Sequence, residues 1–391
     1  MRNKLMTLAL ASFITVGAVA QDDLIESLNS NHSVAAKEGF QFKPIIMLES
    51  TSVKNQGSSG TCWSYSGNSF LESEMIREGK EPVDISEIYT ARCVYIEKAK
   101  NYVRMHGSLN WGDGGALHDV TNIYKKYGAL PQEVYSGLNY GTDYNKFGEM
   151  QAALKGMLDG IVQNKNGKLT PNWIDAFTAV LDSYLGQVPE EFEYKGKTYT
   201  PKSFAKEVVG LDANDYLELT CIPDEPAYTN VFLSVPDNWS FDYAYNVKMD
   251  DLTATIDNAL EEGYTVGWAT DVSEKSFSWK NGVAFVPERE YSEMTPKERA
   301  TLFSAPKPER EITPKMRQEA FDNYTTTDDH GMQIVGLAKD QNGKEYYIVK
   351  NSWGESNDYK GYLYVTKDYV KFKTTALLVN KDAIPKKIYK S

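Results

Sequence analysis

Asn55-Gln56-Gly57-Ser58-Ser59-Gly60-Thr61-Cys62-Trp63-Ser64 puts a thiol six residues after a glutamine, at the start of a segment with helical apolar spacing. Trp63, Phe70, Leu71 and Ile76 suit one buried face, and Gly79 suits a stop. The spacing predicts a helix with Cys62 at its N-terminus. There the helix dipole and the open backbone N–H groups favour a thiolate, the form of cysteine that attacks a carbonyl carbon.

The partners of such a thiol stand far downstream. His330 lies in Asp328-Asp329-His330-Gly331-Met332, and Asn351 in Lys350-Asn351-Ser352-Trp353-Gly354. Glutamine, cysteine, histidine and asparagine in that order are the groups a thiol acyl-transfer site needs. A protonated His330 beside Cys62 would lower the thiol pKa and then hand its proton to the leaving amine. Asn351 would hold the other ring nitrogen, and Trp353 would shield that bond from water. Gln56, with the backbone N–H of Cys62, would meet the oxygen of a tetrahedral intermediate. Taken singly, a cysteine is more often a small buried hydrophobe, and a histidine or asparagine a satisfied polar group. The joint pattern carries the reading.

The local pattern also says how two of these groups meet. Met332 to Ala338 alternates, Asn342-Gly343 is a two-residue hairpin signal, and Glu345 to Lys350 is the partner strand. A β-hairpin brings His330 and Asn351 together across a tight turn.

These motifs resemble the papain-like cysteine peptidases and, within them, the bleomycin hydrolase/aminopeptidase C branch. Ser59 stands three residues before Cys62, as in the Ser-Ser-Gly-x-Cys-Trp of that branch, where papain itself has a second cysteine. Cys62 and His330 are 268 residues apart, far beyond the papain spacing and in keeping with the branch's insertions. Further matches are Ile85-Ser86-Glu87-Ile88-Tyr89, Asp113-Gly114-Gly115, Tyr127-Gly128-Ala129-Leu130-Pro131, Pro189-Glu190-Glu191-Phe192 and Pro201-x-x-Phe204. The resemblance implies an α+β, two-lobed papain-like fold, a helical lobe plus a β-rich lobe, with a helical insertion. It implies hydrolysis of peptide bonds through a thioester acyl-enzyme. It also implies that Gly114 and Gly115 hydrogen-bond the backbone of a peptide substrate, where the lack of a Cβ permits close approach. Homo-oligomers, hexamers in particular, follow from the resemblance alone.

The chain departs from the branch at its end. The branch has a longer C-terminal arm, whose terminal carboxylate lies in the cleft and pairs with the substrate amine. Here the sequence closes on Lys386-Lys387-Ile388-Tyr389-Lys390-Ser391. Two enzymatic readings therefore stand side by side, an aminopeptidase and an endopeptidase through which longer peptides pass. A third is a non-catalytic papain-like protein that binds peptides, which the presence of Gln56, Cys62, His330 and Asn351 together argues against. Asp328 and Asp329 could bind a substrate amine or basic side chain in place of the arm, or form a solvated acidic loop.

Residues 1–20 read as an export signal: Arg2 and Lys4, an apolar run from Leu5 to Val19, and a small-residue cleavage site at Ala18-Val19-Ala20. No cysteine precedes Cys62 and no later run suits a membrane span, so the expected product is exported, periplasmic or secreted, without a stable membrane anchor. Net charge is −12, and −14 once Arg2 and Lys4 are removed, which argues against nucleic acid as a partner. The odd count of three cysteines leaves at least one free thiol, Cys62 being the obvious one. Cys93, in an apolar-periodic segment, reads as core. The four histidines show no metal-ligand spacing, so no metal and no cofactor are expected.

Along the chain, residues 21–140 hold a polar lead-in and the helical lobe, with helices after Cys62, near 86–100 and near 115–127. Residues 141–215 read as a helical insertion that includes a short hairpin turning at Lys195-Gly196-Lys197. Residues 216–391 read as the β-rich lobe, with a strand at Val231-Phe232-Leu233-Ser234-Val235 and a charged surface excursion over 288–327.

Overall fold

The computed structural model describes residues 39–165 and 167–390. The expected signal, residues 1–20, lies outside the described residues. Most helices gather on one side of a mixed sheet, others cover its other face, and the fold is α+β.

Helix α1 (Cys62–Arg77) lies between the two, so fourteen of its sixteen residues are buried rather than the one face the spacing predicts. On one side it meets the helix Leu117–Tyr127, where a Cβ on Gly67 would lie 2.4 Å from Val120. On the other it meets the sheet. Its polar residues are therefore buried and need partners. Gln333 of the sheet accepts from Ser69 Oγ at 2.7 Å and donates to Ser73 Oγ at 2.8 Å, and Glu72 accepts from the Ile85 N–H at 2.8 Å.

Helix α2 (Glu87–Arg104) starts at Ser86, whose hydroxyl caps the Tyr89 N–H. Helices α3 (Leu117–Tyr127), α4 (Gly148–Val162) and α5 (Asn172–Leu185) follow. Phe147, Leu154, Phe177 and Leu181 join Trp63, Phe70, Ile88 and Tyr95 in one core. The helices of the 141–215 segment thus share their core with the helices before them. The hairpin β2 (Phe192–Tyr194) and β3 (Lys197–Tyr199) turns at Lys195 and Gly196, both at positive φ.

The main sheet runs β5-β6-β4-β13-β7-β10-β11-β12-β9-β8, with β1 also on β10. Its strands are β1 (Phe42–Met47), β4 (Tyr216–Thr220), β5 (Thr229–Phe232), β6 (Tyr243–Asn246), β7 (Val266–Thr270), β8 (Phe277–Ser278), β9 (Val283–Ala284), β10 (His330–Asp340), β11 (Glu345–Lys350), β12 (Tyr362–Thr366) and β13 (Thr374–Asn380). Helices α6 (Met249–Glu261) and α7 (Lys367–Lys373) cover the second core, built on Trp268, Ile334, Tyr347 and Leu377.

Three local expectations need correction. The β10–β11 turn has three residues, Gln341 to Gly343, rather than two. Asp340 pairs with Lys344, its carboxylate accepts from the N–H groups of Asn342 and Lys344, and only Gly343 takes positive φ. The segment 288–327 is more than a surface excursion. Arg317 within it is buried and donates to the carbonyls of Cys221, Lys371 and Thr374.

The strand expected over Val231–Val235 stops at Phe232. Pro236 cannot donate to a ladder, and the chain leaves the sheet as a strap, residues 233–242, that reaches the helical side before returning as β6. Ser240 Oγ bonds His118 Nε2 at 3.0 Å, and Trp239 Nε1 donates to Asp119 Oδ2 at 2.8 Å. Asn122 donates to Asp242 at 2.9 Å, Asn110 to Asp237 at 3.1 Å and Asn101 to the Trp239 carbonyl at 3.3 Å. Trp239 is buried in the helical core.

Candidate active site

The loop before α1 is fixed from several directions. Lys54 Nζ sits 2.5 Å from Glu87 and Asp84 and 3.4 Å from Glu72, so its ammonium fills the centre of three converging acids. The Gln56 N–H donates to the Ser352 carbonyl at 2.8 Å and the Gly354 N–H to the Lys54 carbonyl at 3.0 Å, which ties this loop to the residues after Asn351. The Gly60 N–H donates to Asp113 Oδ2 at 3.0 Å, and Trp63 Nε1 to the Asp113 carbonyl at 2.9 Å. Cys62 then opens α1, buried at the helix N-terminus.

His330 opens β10. The strand comes so close to α1 that a Cβ on Gly331 would lie 2.9 Å from Ser66 Oγ and 3.2 Å from Trp63 Cα. His330 Nε2 bonds Asn351 Oδ1 at 2.7 Å, and the same oxygen accepts from the Ser352 N–H. An amide oxygen facing Nε2 requires the hydrogen on Nε2. In the neutral ring Nδ1 is then the acceptor, and it makes no hydrogen bond among the described residues. The Trp353 ring lies over the imidazole, centroids 4.4 Å apart, and is itself packed against Trp279 and Phe277.

Burial holds the His330 imidazole down at about 4, with the Asn351 hydrogen bond offsetting part of the effect. The protonated His330 of the sequence expectation therefore requires a thiolate partner. A neutral protein interior penalises the imidazolium, and only a counter-charge such as a thiolate on Cys62 favours it. The arrangement can take a proton from a thiol at Nδ1 and return it to a leaving amine.

Gln56 is fully buried and does not line the cleft. Its Oε1 accepts from Ser352 Oγ at 2.7 Å and its Nε2 donates to the Ser59 carbonyl at 2.6 Å. One of the two amide hydrogens remains uncommitted.

Cys62 and His330 line one cavity of about 420 Å³, together with Trp63, Gly114, Gly115, Pro236, Asp237, Asp328 and Asp329. A Cβ on Gly115 would lie 2.8 Å from the Trp63 ring. Lys98 Nζ donates to the Gly114 carbonyl at 2.8 Å. The two sequence-predicted acids differ. Asp328 Oδ1 accepts from Thr375 Oγ1 at 2.9 Å. Asp329 turns one oxygen to the Val272 N–H at 2.8 Å and the other to Thr327 Oγ1 at 3.4 Å. Asp237 and the strap that carries it escaped the sequence reading. The available signal was Pro236-Asp237-Asn238, a turn cluster that ends an apolar run.

A cleft between helices and sheet, a thiol opening a buried helix and a His–Asn pair on a hairpin define the class of papain-like cysteine peptidases. The chain belongs to the peptidase C1-like family, whose sequence pattern matches residues 7–391. Aminopeptidase C of Lactococcus lactis subsp. cremoris is 26% identical, over 94% of this chain and 88% of its own length. Mouse (Mus musculus) bleomycin hydrolase is 23% identical, over 89% and 84%. The crystal structure of PepW from Lactobacillus rhamnosis HN001 superposes with a TM-score of 0.71 at 20% identity, covering 94% of this chain and 90% of that one.

Proposed function

We propose that this protein is an exported cysteine peptidase that removes residues from the amino ends of peptides through a thioester acyl-enzyme on Cys62. The observation that carries it is the 2.7 Å bond from His330 to Asn351, which leaves Nδ1 unbonded on the cavity that Cys62 also lines. In this reading Nδ1 takes the thiol proton, the thiolate attacks the peptide carbonyl, and the imidazolium protonates the departing amine. Water then releases the acyl group. The backbone N–H of Cys62 meets the developing oxyanion, and Gln56, buried behind the cleft, has one amide hydrogen left to turn towards it. Gly114 and Gly115 meet the substrate backbone, and Trp353 keeps water from the His–Asn bond. The named relatives support the aminopeptidase reading.

Thiol alkylation tests the nucleophile. Burial pushes the Cys93 thiol up to about 12 and also raises that of Cys221, so neither reacts readily near neutral pH. Iodoacetamide should label Cys62 far faster than either, and Cys62→Ala should abolish turnover while the fold persists. Full activity in Cys62→Ala would remove the basis of this reading.

A further inference from the structure

We propose that the strap, residues 233–242, is the end stop of the cleft, and that Asp237 on it, together with Asp328 on the sheet side, receives the terminal ammonium of the peptide being cut. The proposal rests on the cysteine-peptidase reading and adds the groups that select the substrate.

The strap is a built wall. It leaves the sheet, buries Trp239 in the helical core, and is held there by bonds to His118, Asp119, Asn122, Asn110 and Asn101. Its Pro236 and Asp237 line the same cavity as Cys62 and His330. The Asp237 carboxylate lies directly on Gly114, where a Cβ would be 2.0 Å from Oδ2. Oδ1 accepts from Asn110 at 3.1 Å, while Oδ2 accepts no hydrogen bond among the described residues.

The charge of the cavity points the same way. Asp237, Asp328 and Asp329 line it, and among the described residues no lysine or arginine does. Lys98 stands behind the glycine wall, with its ammonium donating to the carbonyls of Gly112 and Gly114; its charge offsets part of that on Asp237 but it does not line the cavity. Asp329 is committed to Val272 and Thr327, whereas Asp328 has one oxygen on Thr375 and the other uncommitted. Burial, and next the charge of Asp237, push the Asp328 carboxyl up to about 7. Carboxylates behave so when no cation lies between them. An ammonium placed there supplies the missing charge.

A closed end lined by acids fits an amino terminus and repels a carboxyl terminus. Acylating the amine removes the charge and adds bulk against the strap. A lysine side chain carries the same charge, but a main chain extending past the reactive thiol must still stop at the strap, which favours the chain terminus.

Aminoacyl-coumarin amides, each with a free or an acetylated amine, test this on the full chain. The wild type should favour the free amine by about 100-fold or more in kcat/KM. Asp237→Asn keeps the shape, removes the charge, and should raise KM for free-amine substrates by about 10-fold or more. Acetylated substrates should change little, and Asp237→Glu should recover part of the loss. Equal hydrolysis of both forms by the wild type overturns the proposal. So does a preference that survives Asp237→Asn/Asp328→Asn, or one that follows lysine at the cleaved residue irrespective of acetylation. Calorimetry on Cys62→Ala with leucinamide and N-acetyl-leucinamide reads recognition without turnover. Equal affinity there defeats the ammonium site even if Cys62 remains the fast-labelling thiol. Slow labelling of Cys62 with no hydrolysis of any substrate defeats the peptidase reading instead.

Discussion

At His330 two demands meet in one ring. The Asn351 oxygen fixes the hydrogen on Nε2, and burial drives the ring towards its neutral form. With the imidazole held down at about 4, kcat/KM should stay level towards acid and fall as pH drops through about 4, where Nδ1 becomes protonated. A fall centred near the ordinary histidine value of about 6.5 would show a ring far better solvated than this one. His330→Ala should eliminate turnover. Asn351→Ala should be milder, since a poorly oriented ring still exchanges protons; identical total loss in both would assign Asn351 a role in holding the fold. Gln56→Ala should lower kcat by about 10²–10³-fold with a smaller change in KM. A change confined to KM would make Gln56 a binding group.

At the scale of elements, the hairpin β10–β11 does most to assemble the site. Its signal was local, in alternating strands around Asn342-Gly343, and so was legible, although the side chain of Asp340 set a three-residue turn that residue preferences alone did not reveal. The all-round burial of α1 was not legible, because Ser69, Ser73 and Glu72 find partners only once Gln333 and Ile85 arrive from distant segments. The strap was misread for the same reason. Leu233 and Val235 look like strand residues, and the groups that pull them off the sheet lie on α2, on α3 and in the loop between them, more than a hundred positions away. Gly331→Ala should force β10 away from the first turn of α1 and displace His330. Misplacement of about 1 Å costs on the order of 10²-fold in rate, so activity should drop with little loss of secondary structure by circular dichroism. The His118 clip is also testable. Burial opposes charge on His118, but Glu218, then Asp119 and Asp242, outweigh it and raise the imidazole to about 10. A raised pKa means that this contribution to stability is fully present below about 6.5 and is lost as pH rises through about 10. Amide exchange in the strap should accelerate beyond the intrinsic pH effect between pH 7 and 10, and His118→Asn should flatten that excess.

For the whole molecule, the motif residues around Cys62, His330 and Asn351 were enough to read the fold class, since each sits in a short stretch whose pattern survives out of context. No helix among the described residues is long and apolar enough to cross a membrane. Export is what the leader reading proposes, and the intact mass of exported material should then place the first residue near Gln21. A start beyond about residue 45 would reveal further processing, because only 41 residues separate Ala20 from Cys62. The burial of Trp239 also bears on how the molecule comes apart. A chain with one core under the sheet and another among the helices could melt in two steps. Here an indole carried by the sheet's own connection is a member of the helical core, so neither half can lose its packing without exposing part of the other. Heating should give one calorimetric transition whose van't Hoff and calorimetric enthalpies agree, and Trp239→Ala should lower its midpoint without splitting it, because Tyr216, Ala269 and Leu378 of the sheet also belong to the helical core.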